Sequence, residues 1–211
     1  MNPRIGCRRI VDSPTAKREI RARIIARREA LPETLHREWS AAITARLLAL
    51  EGYGVGRVIA AYASFRAEFD TSAFLAAALA VGKQLALPRV AASRERLEFC
   101  YVTDPARDLA PGAWGIPEPQ AHCELMAEDT AVDFVLAPGV AFTRRGDRLG
   151  YGRGYFDRFL ATLPGRPLLA AAAYSIQLLG KLPVEPHDRR VQVLVTEWET
   201  IDTNQASGIH S

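Results

Sequence analysis

The sequence predicts an α/β fold, a three-layer sandwich in which a central, mostly parallel or mixed sheet of six strands is flanked by helices. Three observations support this. Two helical patterns open the chain, six short apolar runs follow, and helical stretches separate several of those runs. Most of the runs hold too few polar residues to turn one side to water, as befits strands covered on both faces.

The first helix is expected from about Pro14 to Leu31: Ser13 can cap it, Pro14 suits its first position, and Ile20, Ile24, Ile25 and Leu31 recur at helical spacing up to Pro32. A second runs from about Leu35 to Leu50, with Trp39, Ile43, Leu47 and Leu50 on one stripe and Gly52 and Gly54 ending it. The six strands are Arg57 to Ala63, Gln84 to Val90, Arg96 to Thr103, Val132 to Pro138, Pro167 to Tyr174 and Arg190 to Glu197. Helical stretches near Thr71 to Val81, Tyr155 to Leu163 and Ser175 to Leu179 lie between them. At 211 residues the chain suits one domain over 14–202, between a flexible extension at 1–13 and a flexible tail at 203–211.

Composition narrows the function classes. No apolar run approaches the roughly 20 residues that span a bilayer, so no membrane association is expected. Cys7, Cys100 and Cys123 are odd in number and widely spaced, which reads as free thiols in a reducing, cytoplasmic setting. The four histidines lack metal-ligand spacing, so a zinc site is not expected.

Of the 27 Lys and Arg residues, nine fall in residues 1–31 against three acids, leaving 18 basic and 21 acidic residues elsewhere. The basicity is local. It fits a nucleic-acid patch, a targeting peptide, a solvated helix face, or a helix that brings cations to an anionic small molecule. Lys17, Arg21, Ile24 and Arg28 share one side of that helix, so Lys17 and Arg21 can reach one phosphate together. With 8% aromatics and an acidic remainder, the chain does not read as a nucleic-acid binder.

The loop after the strand ending at Pro138 carries the chemistry. In open α/β sheets ligands gather beyond the carboxyl ends of strands, and some fifteen residues pass here before the next helix, a length that is usually functional. Within it Arg148-Leu149-Gly150-Tyr151-Gly152-Arg153-Gly154 leads straight into the helix at Tyr155. Glycines let backbone N–H groups turn toward an anion, the helix start adds positive potential, and the guanidinium groups add paired donors. There is no GxxxxGK[ST], and GxGxG is not GxGxxG, so neither a P-loop nor a dinucleotide fold is indicated.

These residues resemble the 5-formyltetrahydrofolate cyclo-ligase family. The likeness extends over most of the chain, through Lys17 to Arg21, Tyr62 to Thr71, Gly82 to Val90, Trp114 to Pro119, Asp133 to Leu160 and Leu182 to Asp188. It implies an ATP- and Mg²⁺-dependent ring closure of 5-formyltetrahydrofolate to 5,10-methenyltetrahydrofolate with release of ADP and phosphate. It implies an ATP site at Lys17, Arg18, Arg21 and Arg148 to Phe156 (Arg148, Leu149, Gly150, Tyr151, Gly152, Arg153, Gly154, Tyr155, Phe156). It also implies a folate site at Ala63, Glu68, Trp114 and Tyr151 to Tyr155, magnesium carboxylates at Asp157 and Asp188, and catalytic roles for Arg148, Arg153 and Tyr155. Phe65 and Phe142 are further aromatic candidates, and the partners expected are small molecules bound by a monomer. The alternative is a paralogue of this fold with another ATP-dependent or phosphate-ester substrate. Phe156 stands where many relatives have tyrosine, and Tyr151 where some carry a basic residue.

Overall fold

A computed structural model describes residues 13–185 and 188–205; the rest of the expected extension and tail, and His187 and His210, lie outside it. In chain order the helices are α1 (Ser13–Glu29), α2 (Glu33–Leu48), α3 (Glu51–Val55), α4 (Ser72–Ala80), α5 (Pro105–Asp108) and α6 (Tyr155–Thr162). The strands are β1 (Val58–Ala60), β2 (Gln84–Val90), β3 (Leu97–Val102), β4 (Leu109–Pro111), β5 (Pro117–Pro119), β6 (Phe134–Ala137), β7 (Ala141–Phe142), β8 (Arg148–Leu149), β9 (Leu168–Ala172), β10 (Val193–Val195) and β11 (Thr200–Asp202).

Seven strands form the main sheet in the order β11-β10-β9-β6-β1-β2-β3. The five in the middle run parallel, and β11 and β3 close the edges antiparallel. All six expected strands are present. The seventh, β11, is a three-residue edge strand, too short for periodicity to mark. Two further hairpins, β4-β5 and β7-β8, stand outside the sheet, so the long loop after β6 includes a small antiparallel ribbon. No helix among the described residues is long and apolar enough to cross a membrane.

Strand alternation sorts the core into two layers. On one face Ile59, Phe134, Leu136, Ala170 and Ala172 meet Ile43 and Leu47 of α2 and Phe74, Leu75 and Ala78 of α4. On the other, Ala60, Val135, Ala137 and Ala171 meet Phe156, Phe159 and Leu160 of α6, with Phe99 stacked on Phe159 at 3.7 Å between centroids. Each large apolar side chain buried in this way contributes roughly 1.5–3 kcal/mol. The alanines of β9 let the helices approach closely. A third cluster seats Ile24 of α1 on Val140, Ala141, Leu149 and Leu182, which places the basic helix over the carboxyl end of β6.

Chain order positions the site. From β1 the chain crosses to β2 on one side and later returns to β6 on the other, so sheet order reverses between β1 and β6. At such a point the loops leaving neighbouring strands diverge and open a crevice.

Candidate active site

A cavity of about 410 Å³ lies at this crevice, lined by residues after β1 (Ala63, Phe65, Glu68), at the end of β2 (Pro88, Val90) and after β6 (Pro138), by the Trp114 segment, and by Arg148 and residues 150–151 and 153–157. Ala63, Glu68, Trp114 and most of the glycine loop, scattered in sequence, therefore share one cavity.

Glu68 lies at its buried end. One carboxylate oxygen accepts the Phe65 N–H at 2.9 Å and the other accepts the Tyr151 hydroxyl. Burial pushes this carboxyl above the usual range, while the hydrogen bonds from Tyr151 and Phe65 pull it back. Tyr62 also lines the cavity, and burial raises its hydroxyl well above the ordinary tyrosine range. In the same lining Trp114 holds a left-handed φ of +59°, rare for a bulky residue; it is 49% exposed, with the Arg153 guanidinium 4.3 Å from the ring centroid.

The cations stand on the other side of the loop. Lys17 Nζ donates to Glu185 at 2.8 Å and Asp188 at 3.3 Å. Burial opposes its charge, and these carboxylates outweigh that to raise its pKa above 10.5. One turn on, Arg21 donates from Nε to the Gly150 carbonyl at 2.8 Å. Its guanidinium covers Gly152, where φ is +101° and an added Cβ would lie 3.2 Å from Cζ, so the backbone conformation favours glycine and a side chain there would also shift the guanidinium.

Arg148, with 2% of its side chain exposed, donates to the Pro138 carbonyl at 3.0 Å and to Asp157, while its Nε–H has no partner. Burial lowers its pKa despite Asp157. A second cavity of about 220 Å³ adjoins it, lined by Asp147, Arg148, Val184, Glu185, Asp188, Arg189 and Arg190. The Arg189 N–H approaches Asp157 at 3.4 Å, so the segment bearing Asp188 reaches the start of α6. Arg148 lines both cavities.

Several expected residues stand differently. Arg18 is exposed on α1, outside the lining of either cavity. Leu149 packs in the third core cluster, and Phe142 is fully buried. Tyr155 lines the cavity, but its hydroxyl donates to the Arg94 carbonyl at 2.6 Å. Sequence reasoning assigned no role to Tyr62, Glu185 or Arg28; only Arg28 left a signal, as the last member of the Lys17 stripe. Elsewhere Asp108, His122 and Cys123 hold donor atoms within 4.8 Å of one another, with the Asp108 carboxylate already taken by Arg107 and the Thr103 and Asp104 N–H groups.

Residues 13–197 match the model of the 5-formyltetrahydrofolate cyclo-ligase family. The chain is 30% identical over 169 residues to a probable 5-formyltetrahydrofolate cyclo-ligase of Caenorhabditis elegans, covering 76% of this chain and 82% of that protein. It is 29% identical over 178 residues to the Escherichia coli 5-formyltetrahydrofolate cyclo-ligase, covering 82% and 97%. The fold matches the Aquifex aeolicus 5,10-methenyltetrahydrofolate synthetase with a TM-score of 0.77 at 33% identity, covering 89% of this chain and 92% of that one. With the match spanning the β1 crevice, the glycine loop and the basic helix alike, the chain belongs to the 5-formyltetrahydrofolate cyclo-ligase family.

Proposed function

We propose that this protein closes the ring of 5-formyltetrahydrofolate to 5,10-methenyltetrahydrofolate, spending ATP and releasing ADP and phosphate. The observation that carries the reading is the double role of one loop. Arg148 and residues 150–151 and 153–157 wall the apolar cavity that ends in Glu68, and the same loop meets the cations of α1. An aromatic ring system with N–H donors and a polyphosphate can thus bind to one segment, with the reacting atoms between them.

The pterin edge suits Glu68, whose two oxygens accept a ring N–H and an amino group in parallel, with Trp114 against the ring face. The triphosphate suits Lys17, Arg21, Arg148 and the N–H groups that open α6. Phosphoryl transfer needs mainly positioning and charge neutralisation. The formamide oxygen attacks the γ-phosphorus and ADP leaves; N10 then attacks the activated formyl carbon, and phosphate departs as N10 loses its proton. Arg148 and Arg153 steady the transferring phosphoryl group. Tyr155 shapes the wall through its ring, its hydroxyl being held by Arg94.

Asp157 and Asp188 present the hard carboxylate oxygens that Mg²⁺ takes alongside phosphate and water, so the donor set fits that ion. When bound, Mg²⁺ supplies charge neutralisation to the phosphates. Arg148 pairs with Asp157 and Lys17 with Asp188.

The test mixes purified protein with 5-formyltetrahydrofolate, ATP and Mg²⁺ and follows the near-ultraviolet absorbance of the methenyl product against controls without ATP or metal. ATP- and metal-dependent growth is expected. No growth from folded protein that binds ATP would overturn the reading in favour of another acceptor.

A further inference from the structure

We propose that Arg28 is a positioning residue for folate recognition: it counter-charges Glu68 from across the Tyr151 hydroxyl and holds that hydroxyl on the carboxylate until the N–H donors of the substrate displace it. The inference deepens the folate reading above and rests on it.

Arg28 stands 5% exposed on α1. Among the described residues no carboxylate lies within ion-pair distance of it, and its Nε–H has no partner. It donates from Nη2 to the Tyr151 hydroxyl at 2.9 Å, with the guanidinium 5.9 Å from the centre of the ring. A buried cation without a counter-ion is costly, so its presence calls for an anion nearby. Glu68 is that anion, one hydroxyl away: Arg28 donates to Tyr151, and Tyr151 donates to Glu68.

The indirect pairing has a consequence. An arginine directly on Glu68 would take both oxygens in a bidentate contact that a neutral pterin displaces with difficulty. A tyrosine hydroxyl takes one oxygen and is neutral. Tyr151 is 48% exposed, while its hydroxyl stands between the two charges. The half-exposed side chain is thus held at its hydroxyl end and flanked by Gly150 and Gly152. Burial raises the Glu68 carboxyl, and Arg28 is among the groups that lower it again. The other titratable groups facing Glu68 are His36 of α2, with a ring nitrogen 2.8 Å from its carbonyl oxygen, Tyr174 after β9, at 3.4 Å from the same oxygen, and Tyr62 after β1.

The experiment measures equilibrium binding of 5-formyltetrahydrofolate without ATP, and of ATP without folate, to full-length wild type, Arg28→Met and Tyr151→Phe between pH 5 and 8. Arg28→Met should weaken folate binding by about tenfold or more while ATP binding stays within about twofold. Its folate affinity should fall off at a higher pH than that of wild type, because Glu68 without its counter-charge takes up a proton sooner. Tyr151→Phe removes the competing hydroxyl and should tighten folate binding. Should Arg28→Met fail to fold, Arg28→Gln carries the same expectation and Tyr151→Phe tests the displaced hydroxyl independently. Unchanged folate binding in the Arg28 variants, equal losses for folate and ATP, an unshifted pH profile, or weaker folate binding by Tyr151→Phe would each overturn the proposal. Wild type that binds no folate would instead overturn the folate reading itself.

Discussion

Removing the carboxylate of Asp157 reaches beyond any role in holding a metal. Arg148 has 2% of its side chain exposed and three donor groups: one meets the Pro138 carbonyl, one meets Asp157, and Nε–H meets nothing. Asp157→Ala therefore leaves a buried guanidinium with a single carbonyl partner. Breaking a buried pair from one side costs roughly 3–5 kcal/mol. Asp157 is itself 18% exposed, so water can reach the vacated end, and the loss should sit near the bottom of that range, about 3 kcal/mol. Asp157→Asn keeps an acceptor without the charge. Since charge-assisted hydrogen bonds are about twice as strong as neutral ones, it should lose about half as much. For a chain of this size those losses correspond to melting-temperature drops of roughly 6–12 °C and 3–6 °C. Urea unfolding and thermal melts in buffer free of metal and nucleotide separate this effect from any lost magnesium. Asp157→Ala within about 1 kcal/mol of wild type, or Asp157→Asn as damaged as Asp157→Ala, would refute the pairing argument.

Two other perturbations test the frame around the site. Gly146 turns the β7-β8 ribbon at φ +84°, and an added Cβ would lie 2.2 Å from the Val191 carbonyl oxygen, a backbone atom; Gly146→Ala should cost about 2–4 kcal/mol in urea unfolding, and a neutral result would mean the turn relaxes. Lys17→Met should raise the ATP requirement by about tenfold or more in steady-state kinetics with the folate requirement within about twofold. Because the Lys17 pKa is raised above 10.5, its contribution to stability is complete below that pH and is lost only as pH rises through the higher folded value. The stability gap between wild type and Lys17→Met should accordingly stay level from neutral pH to about 10, and a gap that closes near neutrality would contradict the assigned pairing.

Apolar patterning determined the layered α/β fold by itself. Runs such as Phe134 to Ala137 are apolar at every position because helices cover both faces of the sheet, and that burial is legible in the residues. The same holds for the glycine loop and the Lys17, Arg21, Arg28 stripe, whose chemistry is local: flexible backbone ahead of a helix start, and cations one or two turns apart. Tertiary structure decided which side chains meet. Tyr151 and Glu68 are 83 residues apart, Arg28 and Tyr151 are 123, and no periodicity relates them. Burial of Arg148 makes Asp157 its partner, the Arg94 turn captures the hydroxyl of Tyr155, and the β11 edge exists only because β10 offers it a neighbour. The physical reason is one of range: solvent exclusion acts on each residue in its own place and leaves a pattern along the chain. A hydrogen bond or ion pair depends instead on two places that the chain brings together only once the sheet order is set.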